Sequence, residues 1–313
     1  MGTMKALIKN KAAPYIGDMP KPGMESDIGV LIRVALTGIC RTDIYVAEDI
    51  IPGIPAPLIL GHEFSGIVEE TGVSVSHVAA GDRVTVMPLI TSDGSDKRHP
   101  YAHHRMLGLH RDGCFCDFAM VPANAVYKIP DNVTLKQAAY MEPIAASLAV
   151  LNSGIKPGEK GIVYGNNRIA ELTLRIMRIK GYENTEIYDP DRDQPIPEDY
   201  YDFIIETMAS SESIRSMING VRPGGRIVLK SRQWQPVSFQ TGELVRKDIN
   251  LSAVHYGDFT QGIRLISDGT LRVDDLLGEV RPLEEFARMF KASKHAESEK
   301  LFLTTDETGI LDA

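Results

Sequence analysis

Residues 37–66 read TGICRTDIYVAEDIIPGIPAPLILGHEFSG. The stretch holds one cysteine, Cys40, and a histidine beside a glutamate, His62 and Glu63. Thiolate, imidazole and carboxylate are side chains that hold a catalytic zinc ion while its fourth position stays open for water or substrate. Spacing alone leaves a plainer interpretation open. A lone cysteine is most often a small buried hydrophobe, and a lone histidine is most often an ordinary core or surface residue.

Two turns in this stretch resemble those of the zinc-dependent medium-chain dehydrogenase/reductase family, which includes alcohol, sorbitol and threonine dehydrogenases. In that family a G-I-C-x-T-D turn supplies a cysteine ligand, and a G-H-E-x-x-G turn supplies a histidine and a glutamate. Both stand here, and further family-like strings follow in the same order: AGDRV at 80–84, HRDGCFCDF at 110–118, MEPIAAS at 141–147 and VRPGGRIVL at 221–229. The resemblance covers almost the whole chain and implies that Cys40, His62 and Glu63 bind zinc.

The apolar pattern of the chain changes near residue 148. Before it, short β-rich segments such as GVLIRVAL and RVTVMP are separated by Gly, Pro and Asp, which indicates a barrel-like or sandwich domain. After it, strand and helix patterns alternate as in a nucleotide-binding unit. With the resemblance, this predicts an α/β protein. A GroES-like, β-rich catalytic domain would comprise residues 1–148 and 276–313, and a Rossmann-type cofactor-binding domain would comprise residues 149–275.

The resemblance implies roles for further residues near the zinc ligands. Thr42 would place a hydroxyl near the substrate oxygen as the first step of a proton relay, and Asp43 would orient a ligand or balance charge. Thr and Asp are also ordinary helix N-cap residues. Arg41 stands where alcohol dehydrogenases can carry an arginine that meets the cofactor pyrophosphate, but it is equally readable as a surface arginine. Glu142 stands where the family has a zinc ligand, direct or through water; otherwise it is a helix-start residue.

One family feature is missing from the sequence. Many relatives carry a structural zinc bound by four closely spaced cysteines, but the corresponding interval, residues 89–109, contains no cysteine. We therefore predict one catalytic zinc and no structural four-cysteine zinc. The other two cysteines, Cys114 and Cys116, are too close for the usual C-x2-C zinc knuckle, and we interpret them as packing residues.

A βαβ pattern begins near residue 161. An apolar strand ends at Tyr164, apolar residues then recur at helical spacing, and a second strand ends at Asp189. A carboxylate there hydrogen-bonds the ribose hydroxyls and repels a 2′-phosphate, so we expect NAD to be preferred over NADP. A short, proline-rich interval follows at 190–200, where relatives usually place a helix and an edge strand. We infer that the nucleotide domain has lost one βα unit.

The glycine loop of this unit departs from the G-x-G-x-x-G pattern, because it reads GNNRIA and keeps only the first glycine. Asn167 replaces the middle glycine, which normally lets the backbone approach the pyrophosphate. Asn tolerates positive φ better than most residues, its amide could hydrogen-bond a phosphate, and Arg168 could neutralise one. We expect weakened or reshaped cofactor binding. The predicted cofactor-binding residues of the loop are Gly165, Asn166, Asn167, Arg168 and Ile169.

Composition restricts the partners. The chain has 313 residues, a formal net charge of −8 and no dense Lys/Arg run, which argues against a nucleic-acid surface. No apolar run approaches the ~20 residues needed to span a bilayer, and no signal-peptide apolar region is seen. Three cysteines do not make a disulfide framework, so we expect a cytoplasmic protein. The family resemblance implies a small-molecule substrate and a homodimer or homotetramer.

The resemblance implies a zinc-dependent, NAD(P)-dependent enzyme of the alcohol dehydrogenase type. It would transfer a hydride between an alcohol, polyol or sugar substrate and NAD(H). The altered glycine loop and shortened domain keep a second hypothesis open, a zinc-dependent non-redox enzyme for hydration, elimination or cyclisation with weakened or lost nucleotide binding. A third hypothesis is a non-catalytic zinc protein used for binding or regulation.

Overall fold

The structure of the protein is a computed structural model that describes residues 2–24, 26–91, 104–295 and 298–305. The interval expected to lack a four-cysteine zinc overlaps residues outside these ranges. The strands are β1 Thr3–Lys9, β2 Tyr15–Pro20, β3 Gly29–Gly38, β4 Leu58–Ile59, β5 Glu63–Thr71, β6 Arg83–Val86, β7 Leu89–Thr91, β8 His104–Met106, β9 Phe118–Pro122, β10 Val126–Lys128, β11 Gly161–Tyr164, β12 Thr185–Tyr188, β13 Tyr201–Glu206, β14 Val221–Leu229, β15 Asn250–Ala253, β16 Leu277–Pro282 and β17 Lys300–Thr304.

Helices connect many of these strands. The α-helices are α1 Arg41–Ala47, α2 Leu135–Ala139, α3 Met141–Leu148, α4 Arg168–Ile179, α5 Ser211–Gly220, α6 Thr241–Arg246, α7 Phe259–Ser267 and α8 Phe286–Ser293. Short 3-10 helices lie at Ala123–Ala125, Ala149–Ser153, Asp274–Leu276 and Leu283–Glu285. None of the described helices has both the length and the apolar character that crossing a bilayer requires.

The chain divides into two compact units. The first unit comprises Met1–Glu142 and Asp274–Ala313, and the second comprises Pro143–Val273. The C-terminal piece joins the first unit through a shared apolar core, in which Phe290 and Leu301 pack with Leu7 and other residues of the N-terminal piece. The returning segment therefore completes the first unit and contributes side chains to it.

The first unit is built mainly of antiparallel strands. Its largest sheet has the strand order β10-β6-β5-β3-β17-β16, with β9 also paired to β3. A three-stranded sheet, β2-β1-β4, and a β7-β8 pair complete it. Nearly every residue of β3, GVLIRVALTG, is buried, and the strand pairs with β5, β9 and β17. β3 is thus the central strand of the sheet.

The second unit contains one parallel sheet with the strand order β12-β11-β13-β14-β15. The strands β11, GIVY, and β13, YDFIIE, are buried almost throughout, as expected when helices cover both faces of a parallel sheet. Residues 189–200 connect β12 to β13 without a helix or strand. It is in this interval that the sequence predicts the loss of one βα unit.

Candidate metal centre

The candidate zinc ligands lie where two neighbouring strands meet a helix. β3 and β5 are antiparallel, with Gly38 opposite Glu63, so the end of β3 lies beside the start of β5. Cys40 follows β3 and is the N-cap of α1, with an extended backbone at φ −98° and ψ 155°. His62 directly precedes β5. The strand pairing therefore brings the two quoted turns together.

The three donor groups converge. One ligand atom from each of Cys40, His62 and Glu63 lies within 4.8 Å of the other two. The side chains of His62 and Glu63 are 0% and 1% exposed, and Cys40 is half-buried. Among the described residues, His62 Nε2 has no hydrogen-bond partner. A buried ring nitrogen normally has one, and a sulfur, nitrogen and oxygen donor set suits a catalytic zinc, so these residues fit the expected ion.

Asp43 holds two of the ligands in place. This fully buried carboxylate lies with Oδ1 3.0 Å from His62 Nδ1, and its Oδ2 accepts a 2.8 Å hydrogen bond from the backbone N–H of Cys40. When His62 donates from Nδ1, its Nε2 lone pair is free for a metal. Burial alone would lower the pKa of His62, but the negative charges of Asp43 and Cys40 outweigh burial and raise that pKa well above its usual value.

We expect Asp43→Asn to weaken zinc binding by roughly 10- to 100-fold, the range typical of residues that orient a metal ligand. Both partners of Asp43 are N–H donors, and an amide offers one oxygen and one NH2 group where two acceptors are needed. Competition with a chelating dye measures the zinc affinity. Asp82→Asn is the matched control, because Asp82 also accepts from a backbone N–H and a lysine. If Asp43→Asn bound zinc as tightly as Asp82→Asn does, Asp43 would not be a residue that orients the metal ligands.

Glu63 forms a buried ion pair with Lys300. Glu63 Oε2 and Lys300 Nζ lie 2.5 Å apart, and both side chains are 1% exposed. Burial raises the pKa of Glu63, while the Lys300 ammonium opposes the rise. The sequence analysis missed Lys300. Its signal was a lysine at the start of the apolar strand KLFLT with no acid in that strand, but nothing local indicated its partner.

Gly38 provides the space for this ion pair. β3 lies between β17 and β5, with Gly38 opposite both Phe302 and Glu63. A Cβ at position 38 would lie 2.7 Å from Glu63 Oε2 and 2.7 Å from Lys300 Cε. Any larger residue would thus displace one partner of the pair. The glycine that opens the G-I-C turn is required by this contact across the strand.

The other residues that the sequence predicts near the zinc differ in their burial and in their position relative to the donor cluster. Thr42 lies in the first turn of α1 and is 4% exposed, whereas Arg41 is exposed. Glu142 is 5% exposed in the first turn of α3. Among the described residues, the compact donor cluster contains Cys40, His62 and Glu63. Glu142 lies outside it, although its charge contributes to the raised pKa of Glu63.

Cys114 and Cys116 are fully buried and belong to different apolar clusters. Burial raises the pKa of both thiols. They therefore remain neutral at physiological pH and behave as small apolar side chains. Residues 114–116 form bends and an isolated bridge rather than a strand.

The predicted cofactor loop joins β11 to α4 in the second unit. Gly165 has φ 134°, and a Cβ there would lie 2.3 Å from Thr207 Oγ1, so this position needs glycine. Asn167 has φ −102° and ψ 169°, so its tolerance of positive φ is not used. It is instead the N-cap of α4, and Arg168 and Ile169 form the first turn. Asp189 follows β12.

Comparison with known proteins gives a consistent result. Residues 26–131 match the model of the Alcohol dehydrogenase GroES-like domain. A D-xylulose reductase of Morganella morganii is 26% identical, over 88% of this chain and 93% of that protein. Together with the structural similarities described next, these matches confirm the α/β fold class with GroES-like and Rossmann-like parts.

Two solved structures illustrate the similarity of fold. A short chain alcohol dehydrogenase from E. coli CFT073, complexed with NADH, superposes with a TM-score of 0.86 at 21% identity, covering 97% of this chain and 100% of that one. A thermostable alcohol dehydrogenase from Pyrobaculum aerophilum, with cobalt and zinc bound, superposes with a TM-score of 0.83 at 20% identity, with the same coverage.

Proposed function

We propose that the chain is a zinc-dependent medium-chain dehydrogenase/reductase and that it transfers a hydride between an alcohol, polyol or sugar and a nicotinamide cofactor. The observation that carries the proposal is the buried Cys40, His62 and Glu63 cluster, in which His62 Nε2 lacks a hydrogen-bond partner among the described residues. The Morganella relative supports a sugar or polyol substrate, because its name gives the reduction of D-xylulose, a ketose. The non-redox alternative is not favoured, because the matched proteins are named as reductases and dehydrogenases.

Residues of the first unit would have separate roles in the reaction. Zinc held by Cys40, His62 and Glu63 would supply a Lewis acid that lowers the proton affinity of the substrate oxygen. Thr42 Oγ1 would accept the hydroxyl proton of an alcohol while its own hydroxyl proton passes towards solvent, as the first step of a relay. Asp43 keeps His62 Nε2 aimed at the site through its bond to Nδ1. Glu142 would be a further zinc ligand, direct or through water.

The second unit would hold the cofactor, which accepts or donates the hydride. We propose that residues 165–169 form the loop beneath the pyrophosphate, that Arg41 contacts the pyrophosphate, and that Asp189 sets the preference for NAD. A carboxylate at this position accepts from ribose hydroxyls and repels a 2′-phosphate. The E. coli structure holds NADH, which supports a nicotinamide cofactor.

We also propose a cytoplasmic location and a homodimer or homotetramer. The three cysteines are free thiols in the described structure, which suits a reducing compartment. Dimers and tetramers are common among family members. Light scattering of the purified protein tests the oligomeric state.

Metal removal tests the proposed reaction. Protein treated with a chelator should stop oxidising polyols with NAD, and stoichiometric zinc should restore the rate, because the Lewis acid is needed to lower the pKa of the substrate hydroxyl. The absorbance of the reduced nicotinamide reports turnover across a panel of alcohols, polyols and sugars. Magnesium added instead of zinc is the control, since it prefers oxygen ligands and should restore nothing. Full turnover in metal-free protein would contradict the proposal.

A further inference from the structure

The side chain of Asn167 accepts hydrogen bonds from backbone N–H groups at the start of α4. Its Oδ1 accepts from the backbone N–H groups of Ile169 and Ala170, each at 3.0 Å. In a βαβ nucleotide unit, the free N–H groups at this helix end face the pyrophosphate of the dinucleotide. Here a side-chain carbonyl oxygen of the chain itself satisfies two of them, as a phosphate oxygen would.

Asn166 engages the acid that would bind ribose. Asn166 Nδ2 donates to Asp189 Oδ1 at 3.1 Å, and the backbone N–H of Asp191 donates to the same oxygen at 3.0 Å. A ribose hydroxyl would be a donor to this carboxylate. One oxygen of the second recognition group of the unit thus already accepts two hydrogen bonds from within the chain.

Asn167 is anchored at both ends of its carboxamide. Its Nδ2 donates to Thr207 Oγ1 at 3.3 Å, and Thr207 Oγ1 in turn donates to the carbonyl of Tyr164 at 2.9 Å. Gly165 packs closely beside the same hydroxyl. A cofactor that takes the helix donors must therefore break this network and turn Asn167 away.

We propose that the Asn166–Asn167 pair is an internal competitor for the dinucleotide. Its two carboxamides occupy the phosphate and ribose positions until the cofactor displaces them. The inference rests on the proposed function, since it concerns the same cofactor. It requires that cofactor affinity and the stability of the cofactor-free protein change in opposite directions when either amide is removed.

Two substitutions at one position test the competitor. Asn167→Gly and Asn167→Ala both remove the oxygen that occupies the helix donors, so each should bind NADH more tightly, on the order of fivefold, about the contribution of one N-cap. The melting temperature of the cofactor-free protein should fall, and more for alanine than for glycine, because alanine is the poorer N-cap. NADH and NADPH titrations by calorimetry give the affinities, and thermal unfolding gives the stabilities.

Thr134→Gly is the matched control, because Thr134 caps α2 in the first unit by accepting from Gln137 N. It should lower the melting temperature and leave NADH affinity unchanged. Wild-type NADH affinity in both Asn167 variants would overturn the competitor and leave the proposed function intact. If neither the wild type nor any variant binds NADH or NADPH at millimolar concentration, both the competitor and the proposed hydride transfer are overturned.

Discussion

Cys40→Ala should remove zinc from the protein and abolish measurable hydride transfer. The substitution deletes the thiolate from a cluster whose donor atoms lie within 4.8 Å of one another, and a catalytic zinc uses three protein ligands. Loss of a residue that only orients a ligand weakens metal binding roughly 10- to 100-fold, so loss of the ligand itself should exceed that range. Elemental analysis and turnover with added zinc measure the two effects.

The control for this variant is Cys116→Ala. Cys116 is another buried thiol, 1% exposed, in an apolar cluster with Met4 and Ile59. Its loss should lower the melting temperature and leave zinc content and turnover close to wild type. Circular dichroism confirms that each variant is folded. A folded Cys40→Ala protein that keeps both zinc and activity would rule out the proposed centre.

Lys300→Met should produce the largest change in stability, a loss of about 3–5 kcal/mol in the free energy of unfolding. The substitution leaves the Glu63 carboxylate buried at 1% exposure without its cation, and the nearby Glu142 already disfavours that charge. The Coulombic partner is removed while the desolvation penalty remains. Urea unfolding of zinc-free protein measures the effect without a contribution from the metal.

Two further variants distinguish the effect of leaving a buried charge unpaired from the effect of losing an exposed ion pair. Lys128→Met removes the cation of a pair with Asp82, but Lys128 is 58% exposed, so the expected loss is about 0–1 kcal/mol. Glu63→Gln combined with Lys300→Met should recover much of the stability lost in the single variant, because no unpaired charge stays buried. A Lys300→Met protein as stable as Lys128→Met would contradict a structural ion pair.

The candidate zinc ligands could be selected from the sequence because they lie in two short turns with distinctive residues. Cys40, His62 and Glu63 could be named without coordinates, and the strand pairing explains why they meet. The fold class followed from the change of apolar pattern near residue 148 and from the resemblance. The compact units of the structure divide after Glu142 and before Asp274, and the domain bounds given from the sequence stay predictions.

The contacts that hold the site together could not be predicted in the same way. Lys300 lies far along the chain from Glu63, and only the order of β17, β3 and β5 brings them together. Asp43 was recognised as an orienting residue, but its simultaneous contact with two ligands depends on backbone geometry. Asn167 was compared with a glycine, although asparagine is also a common helix N-cap.

The position of Lys300 on the returning strand has a consequence for biosynthesis. A ribosome makes Cys40, His62 and Glu63 before the second unit, and it makes the entire second unit before it reaches Lys300. Until then the Glu63 carboxylate has no ammonium group beside it, and β17 is absent from the sheet that positions β3. The candidate metal centre therefore stays incomplete until the second unit and β17 have been made, and stable zinc loading should await a chain that includes Lys300.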